Sequence, residues 1–127
     1  MDELIGRIVN NVGVEEAVAK KSVGLILGFL QKEGPEDKVS SLMGAMPGAE
    51  ELISETSDGD GGLMGAVGGM MGGGGAMALM GQLTGAGLGM GDVQGVASEV
   101  VGFGKEKAGE ETVTEIIGSI PGLSQFV

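Results

Sequence analysis

Eighteen Asp and Glu side chains are the chief chemical resource of this 127-residue chain, which has no His, Cys, Tyr or Trp. General acid–base chemistry would therefore fall to Asp, Glu or Lys. Carboxylates stand side by side at Glu15-Glu16, Glu36-Asp37, Glu50-Glu51 and Glu110-Glu111. Adjacent residues on a helix point about 100° apart, so none of these pairs makes a facing dyad. Ser22, Ser40 and Ser41 have no His to activate them. The expectation is a protein with no catalytic residues.

Binding chemistry is equally restricted. "DGDGG" (Asp58–Gly62) looks like the start of a calcium loop, but the twelfth position counted from Asp58 is Gly69, where an EF-hand needs a carboxylate. A weak calcium site using Asp58, Asp60 and Glu55 is the remaining metal reading, and a solvated acidic loop is the expected one. "GGGGAMALMG" (Gly72–Gly81) has no Lys-Ser/Thr after its glycines and is no phosphate cradle. "GLGMGD" (Gly87–Asp92) follows no strand, as a dinucleotide fingerprint would. Without Cys there is no disulfide, thiolate nucleophile or Cys-based metal centre. No cofactor and no metal are expected.

Seven basic residues against eighteen acidic ones give a net charge of -11. That balance opposes binding to nucleic acid, where Lys and Arg must neutralise phosphates. It also opposes docking on anionic lipid headgroups. The first residues, "MDELIGRIVNN", lack a basic stretch followed by an apolar one, so a cytoplasmic protein is expected.

The elements that must position these groups emerge from an internal repeat. Sliding the sequence by 74 positions lays 3–53 on 77–127 without gaps. "VSSLMGAMPGAEELI" (Val39–Ile53) falls on "VTEIIGSIPGLSQFV" (Val113–Val127), and "ILGF" (Ile26–Phe29) on "VVGF" (Val100–Phe103). Val39, Leu42, Met43 and Met46 share one helix face, as do Val113, Ile116, Ile117 and Ile120. The acidic pairs Glu36-Asp37 and Glu110-Glu111 fall in the first turn, where the helix dipole favours carboxylates. Pro47 and Pro121 stop these helices. A preceding helix from about Val14 to Lys32 is expected to bury Val18, Leu25, Ile26 and Phe29. Its counterpart from about Asp92 to Lys107 is expected to bury Val93, Val96, Val100 and Phe103, with Asp92 as N-cap. A short first helix covers about Glu3 to Asn11, with Asp2 placed to cap it, and a last short turn follows each Pro-Gly. A unit of about 50 residues is too small to close a core alone. The expected fold is all-α, one domain over 1–127, with two similar helical repeats packed as a pseudo-twofold bundle. A dimer in which each copy packs with one from another chain is the alternative.

A Gly/Met-rich segment joins the repeats over 54–76. It opens polar and then carries Leu63, Met64, Val67, Met70 and Met71 among glycines. A flexible linker is one reading, since glycine resists a fixed helix. Leu63, Val67, Met70 and Met71 also share one side of a helix, which suits an interfacial segment where Met forms an adaptable surface. A membrane span over 61–81 is a third: 21 uncharged residues are long enough. Ten of them are Gly, and Asp58 and Asp60 crowd one end, so insertion is not expected. The expectation is a glycine-weakened helix or loop lying on the helical domain, with Leu63, Met64, Val67, Met70 and Met71 as its interaction surface. Gly95 and Gly104 inside the second long helix are expected to loosen it.

The run from Glu36 to Gly48, with "VGVEEAVAKKSVGLILGFLQ" (Val12–Gln31) before it and the Gly/Met-rich run after it, resembles small bacterial proteins of the VcgC/VcgE type, a family of unknown function. The resemblance implies an all-α fold and a bacterial source, and no activity. The resulting expectation is a non-enzymatic protein acting through self-association or a protein partner, without nucleic acid. A membrane-associated protein inserting 61–81 is the first alternative, and a weak calcium binder or carboxylate enzyme the second.

Overall fold

Helix α1 (Asp2–Val12) opens the structure, a computed structural model that describes residues 2–59, 75–120 and 123–125. Asp2 and Glu3 lie within its first turn, so Asp2 is part of the helix and not a residue before it. The helix stops at Gly13, φ 88°, whose N–H donates to Val9 O at 3.1 Å. A left-handed residue closing the last turn in this way is a common helix end, and glycine adopts it without a Cβ clash.

Helix α2 (Glu16–Glu33) follows, and α3 (Glu36–Ala45) starts after the Gly34-Pro35 junction. The two helices meet so closely at the junction that a Cβ on Gly34 would stand 2.7 Å from Val39 Cγ2. Met46, Pro47, Gly48 and Ala49 then form a turn, closed by Ala49 N–H donating to Met46 O at 3.1 Å, with Gly48 at φ 92°. Pro second and Gly third is the residue order a type II turn needs. Helix α4 (Ala49–Gly59) leaves this turn and packs along α2.

Helix α5 (Gly75–Gly85) ends on Gly87, φ 113°, where Gly87 N–H reaches Thr84 O at 3.1 Å and Leu88 N–H reaches Leu83 O at 3.3 Å. This pair of bonds is a Schellman motif. Helix α6 (Met90–Ala108) runs to Gly109, φ 103°, and α7 (Glu110–Ser119) begins at the next residue. A 3-10 turn (Leu123–Gln125) completes the described residues, among which there is no strand. The protein is all-α.

α1 packs on α6 and α2, α5 on α2 and α6, and α3 on α7 and α6, while α2 and α6 also touch directly. Leu4, Ile8, Val23, Leu27, Leu83, Val93, Val96, Ile116 and Ile120 are fully buried between them. Ser22 is fully buried as well, and its hydroxyl donates to Ala19 O at 2.9 Å, which removes the cost of an unpaired polar group.

Several expectations change on contact with this packing. α6 buries Val93, Val96, Val100 and Phe103 as its spacing predicts. α2 buries Ile26, but Val18, Leu25 and Phe29 are only half-buried, and Ala19, Val23, Leu27 and Leu30 take the interior. The reason is that α2 is apolar on nearly all sides and is covered on more than one, by α4 as well as by α5 and α6. Asp92 is not the N-cap of α6. It is the third helical residue, and its Oδ2 accepts from the N–H of Gly89 at 3.2 Å. The short turn expected after Pro47-Gly48 is an 11-residue helix, so 54–59 continue α4, and residues 75 and 76 open α5.

Candidate functional site

Among the described residues a group of charges gathers where α1 crosses α6. Arg7 on α1 donates from Nη1 to Glu106 Oε2 at 2.8 Å, and its Nε is 3.5 Å from Glu99 Oε1. Lys107 Nζ stands 3.8 Å from Glu3 Oε2. Beneath them lies Phe103, 4% exposed, with the Arg7 guanidinium 5.9 Å and the Lys107 ammonium 5.4 Å from its ring centre. Cations at that distance are attracted to the ring face.

Helical spacing makes this cluster possible. Glu99, Phe103, Glu106 and Lys107 recur at three- and four-residue steps, which puts them on one side of α6. Glu3 and Arg7 are four apart on α1 and line up opposite. The hydrogen bond to Glu106, aided by the charges of Glu106, Glu99 and Glu3, raises the Arg7 pKa above the ordinary guanidinium range. Glu99 Oε1 is buried and accepts no hydrogen bond among the described residues, so Arg7 balances it by charge alone.

A second bridge joins α3 to α7. Lys38 Nζ lies 2.7 Å from Glu115 Oε2, and that bond raises the Lys38 pKa above 10.5, with Glu111 and Asp37 adding to it. Both bridges connect helices far apart in sequence, and both are solvent-accessible. Their chemistry is to orient helices against one another.

Two concavities accompany them. An open groove of about 610 Å³ runs between the end of α2, α3 and the start of α4, edged by Gln31, Lys32, Glu36 and Glu50. Val39 and Met43 also line it and are 2% and 7% exposed. Inside the bundle, a cavity of about 30 Å³ is lined by aliphatic side chains such as Leu30, Leu42, Leu83, Val100 and Ile116. No polar side chain on that wall could orient a ligand.

The sequence-derived candidates fall elsewhere. Leu63, Met64, Val67, Met70 and Met71 lie outside the described residues, as does Asp60. Asp58 belongs to the last turn of α4. Glu15, Glu16, Glu36, Asp37, Glu50, Glu51, Glu110 and Glu111 are all exposed. Among the described residues no three acidic side chains group as a metal site would need. No described helix is long and apolar enough to cross a membrane, and α5, which covers the end of the 61–81 stretch, has 11 residues.

Sequence reasoning missed the α1–α6 cluster because its two sides are distant in sequence, with Arg7 and Glu106 99 residues apart. A signal for it was present: at the 74-residue offset Lys32-Glu33 meets Glu106-Lys107, the same two charges in opposite order. No family model, curated protein or solved structure matches the chain.

Proposed function

We propose that the chain is a non-enzymatic interaction module built from two copies of one helical unit, 3–53 and 77–127, related by a pseudo-twofold axis. It works in the cytoplasm by associating with itself or with a protein partner. The observation that carries this reading is the correspondence of elements across the offset. α5, α6 and α7 begin 73, 74 and 74 residues after α1, α2 and α3: Gly75 against Asp2, Met90 against Glu16, Glu110 against Glu36.

Buried positions support the same pairing. Ile5 and Leu79, Ser22 and Val96, Ile26 and Val100, Val39 and Val113, Leu42 and Ile116, and Met46 and Ile120 are buried together. Left-handed Gly13 and Gly87 end the first helix of each unit. The turn bond from Ala49 to Met46 is matched by one from Leu123 to Ile120. Two sets of contacts support a twofold reading: α1 lies on α6 while its equivalent α5 lies on α2, and α3 meets its own equivalent α7; α3 also packs on α6 more closely than α7 does on α2.

Such an arrangement is what two exchanged subunits would make, here within one chain. A framework whose interior consists of helix–helix contacts, with charges used to orient helices, suits recognition of other helices. In this reading the connector presents Leu63, Met64, Val67, Met70 and Met71 to the partner. Light scattering combined with affinity capture tests it. A protein that stays strictly monomeric over a wide concentration range and captures no partner would sink the proposal.

A further inference from the structure

We infer that the α1–α6 ion pairs are a pairing code: they select the union of an unlike pair of units and oppose the union of two first units from different copies of this chain. The inference rests on the repeat reading above.

The code is read by asking what α1 would meet in each case. On α6, Arg7 meets Glu106 and Glu3 meets Lys107, at 2.8 and 3.8 Å. If the first units of two copies paired in the same geometry, α1 would lie on α2 of the other copy. The positions equivalent to 106 and 107 are then Lys32 and Glu33, 74 residues earlier. Arg7 would face Lys32, and Glu3 would face Glu33. Both attractions become repulsions.

The second bridge adds to the bias. Lys38 pairs with Glu115 at 2.7 Å, and the equivalent of Glu115 in the first unit is Ser41, which offers no charge. Arg7 would also exchange Glu99 for Leu25. On the other side of the molecule the equivalents of Glu3 and Arg7 are Met77 and Gly81, which are uncharged and discriminate nothing. One charged first helix therefore carries the selection. Specific assemblies commonly combine a matched contact with a repulsive mismatch in this way. The surface made by α1 and α2 thus fits one kind of partner, a second unit with an acid-base order at 106–107, whether it belongs to the same chain or to another copy.

The test uses the full chain. Both variants are made in a Glu99→Gln background, which serves as their parent, because a carboxylate at position 7 would otherwise face Glu99. There, Glu3→Lys with Arg7→Glu keeps the net charge but reverses the order on α1, so that α1 now matches Lys32-Glu33 of another copy. Adding Glu106→Lys with Lys107→Glu restores the match within the chain. Association is measured by sedimentation at about 0.01 M and about 1 M salt, where screening lengths differ about tenfold. Each exposed pair changes an equilibrium by a few-fold, so the two-substitution variant should associate on the order of tenfold more strongly than the parent at low salt. The gain should vanish at high salt, which separates it from aggregation of unfolded protein, and the four-substitution variant should return toward the parent. Unchanged association with a stability that falls in the first variant and recovers in the second would overturn the code and leave the repeat standing. Failure of the second variant to recover stability would mean that α1 does not face 106–107 by charge, and the code would fall on that ground.

Discussion

Gly104 of α6 lies directly under Leu42 of α3: a Cβ on Gly104 would stand 3.1 Å from Leu42 Cδ1 and 3.2 Å from Val113 Cγ2. Both neighbours are buried, at 2% and 4% exposure, and have little room to move. This glycine lets α3 and α7 approach the same point of α6. Gly104→Ala is therefore expected to destabilise the fold by about 1–3 kcal/mol, as overpacking does, measured by urea unfolding.

Gly102, two residues away, gives the opposite expectation. No heavy atom lies within 4 Å of where its Cβ would be. Gly102→Ala removes backbone freedom from the unfolded chain and should stabilise by about 0.5–1 kcal/mol. A loss of stability from this variant would mean that α6 is packed differently at that point.

Leu83 on α5 is fully buried, while Met90 at the start of α6 is 72% exposed. Leu83→Ala should cost about 2–5 kcal/mol through lost burial and the void left behind. Met90→Ala should change stability by less than about 0.5 kcal/mol, as surface substitutions do. Equal effects of the two in chemical denaturation would contradict the placement of α5 against α2 and α6.

Gly87 caps α5 at φ 113°, a backbone region that L side chains rarely enter. Gly87→Ala should cost about 1–2 kcal/mol, and Gly87→Asn less, since Asn tolerates the left-handed region better. Thermal unfolding of the two variants side by side checks the ranking.

Lys38 supplies a pH dependence. Its pKa is raised by Glu115, so the charged form is favoured in the folded state. The resulting stabilisation is complete below the unfolded value of 10.5 and is lost as pH rises through the higher folded value. Unfolding midpoints of the parent should fall above about pH 10.5 more steeply than those of Lys38→Met. Parallel profiles would remove the bridge from α3 and α7.

What the sequence disclosed depended on how each helix is buried. α3 and α6 bury a single stripe, so spacing alone identified Val39, Leu42, Met43 and Met46, and likewise Val93, Val96, Val100 and Phe103. α2 is apolar almost all round, and periodicity could not choose among Val18, Leu25 and Phe29 and the residues that are fully buried. The length of α4 was hidden because its later residues, "SETSDG", read as a solvated loop; the helix is anchored earlier, by buried Ala49 and Leu52 and by Ile53, whose Cγ2 lies 3.6 Å from where Gly28 of α2 would carry a Cβ. Gly95 and Gly104 looked like weak points in α6. In the packed structure they admit neighbours, Val12 at 3.0 Å from the missing Cβ of Gly95 and Leu42 at Gly104. The Arg7 cluster depended on a contact across 99 residues, which no local pattern encodes.

That same contact sets the timetable of assembly. α1 is synthesised well before its main partner α6, which begins only at Met90. Until then the nascent chain holds Leu4, Ile5 and Ile8 with only α2 to cover them, and α2 itself awaits α5. A helical protein built on neighbour contacts folds quickly as it emerges, whereas pairing between distant segments is slowed by chain closure. The growing chain therefore stays open along the apolar seam of α1 until α6 has been made, and its closing step joins α1 to a helix that begins only at Met90.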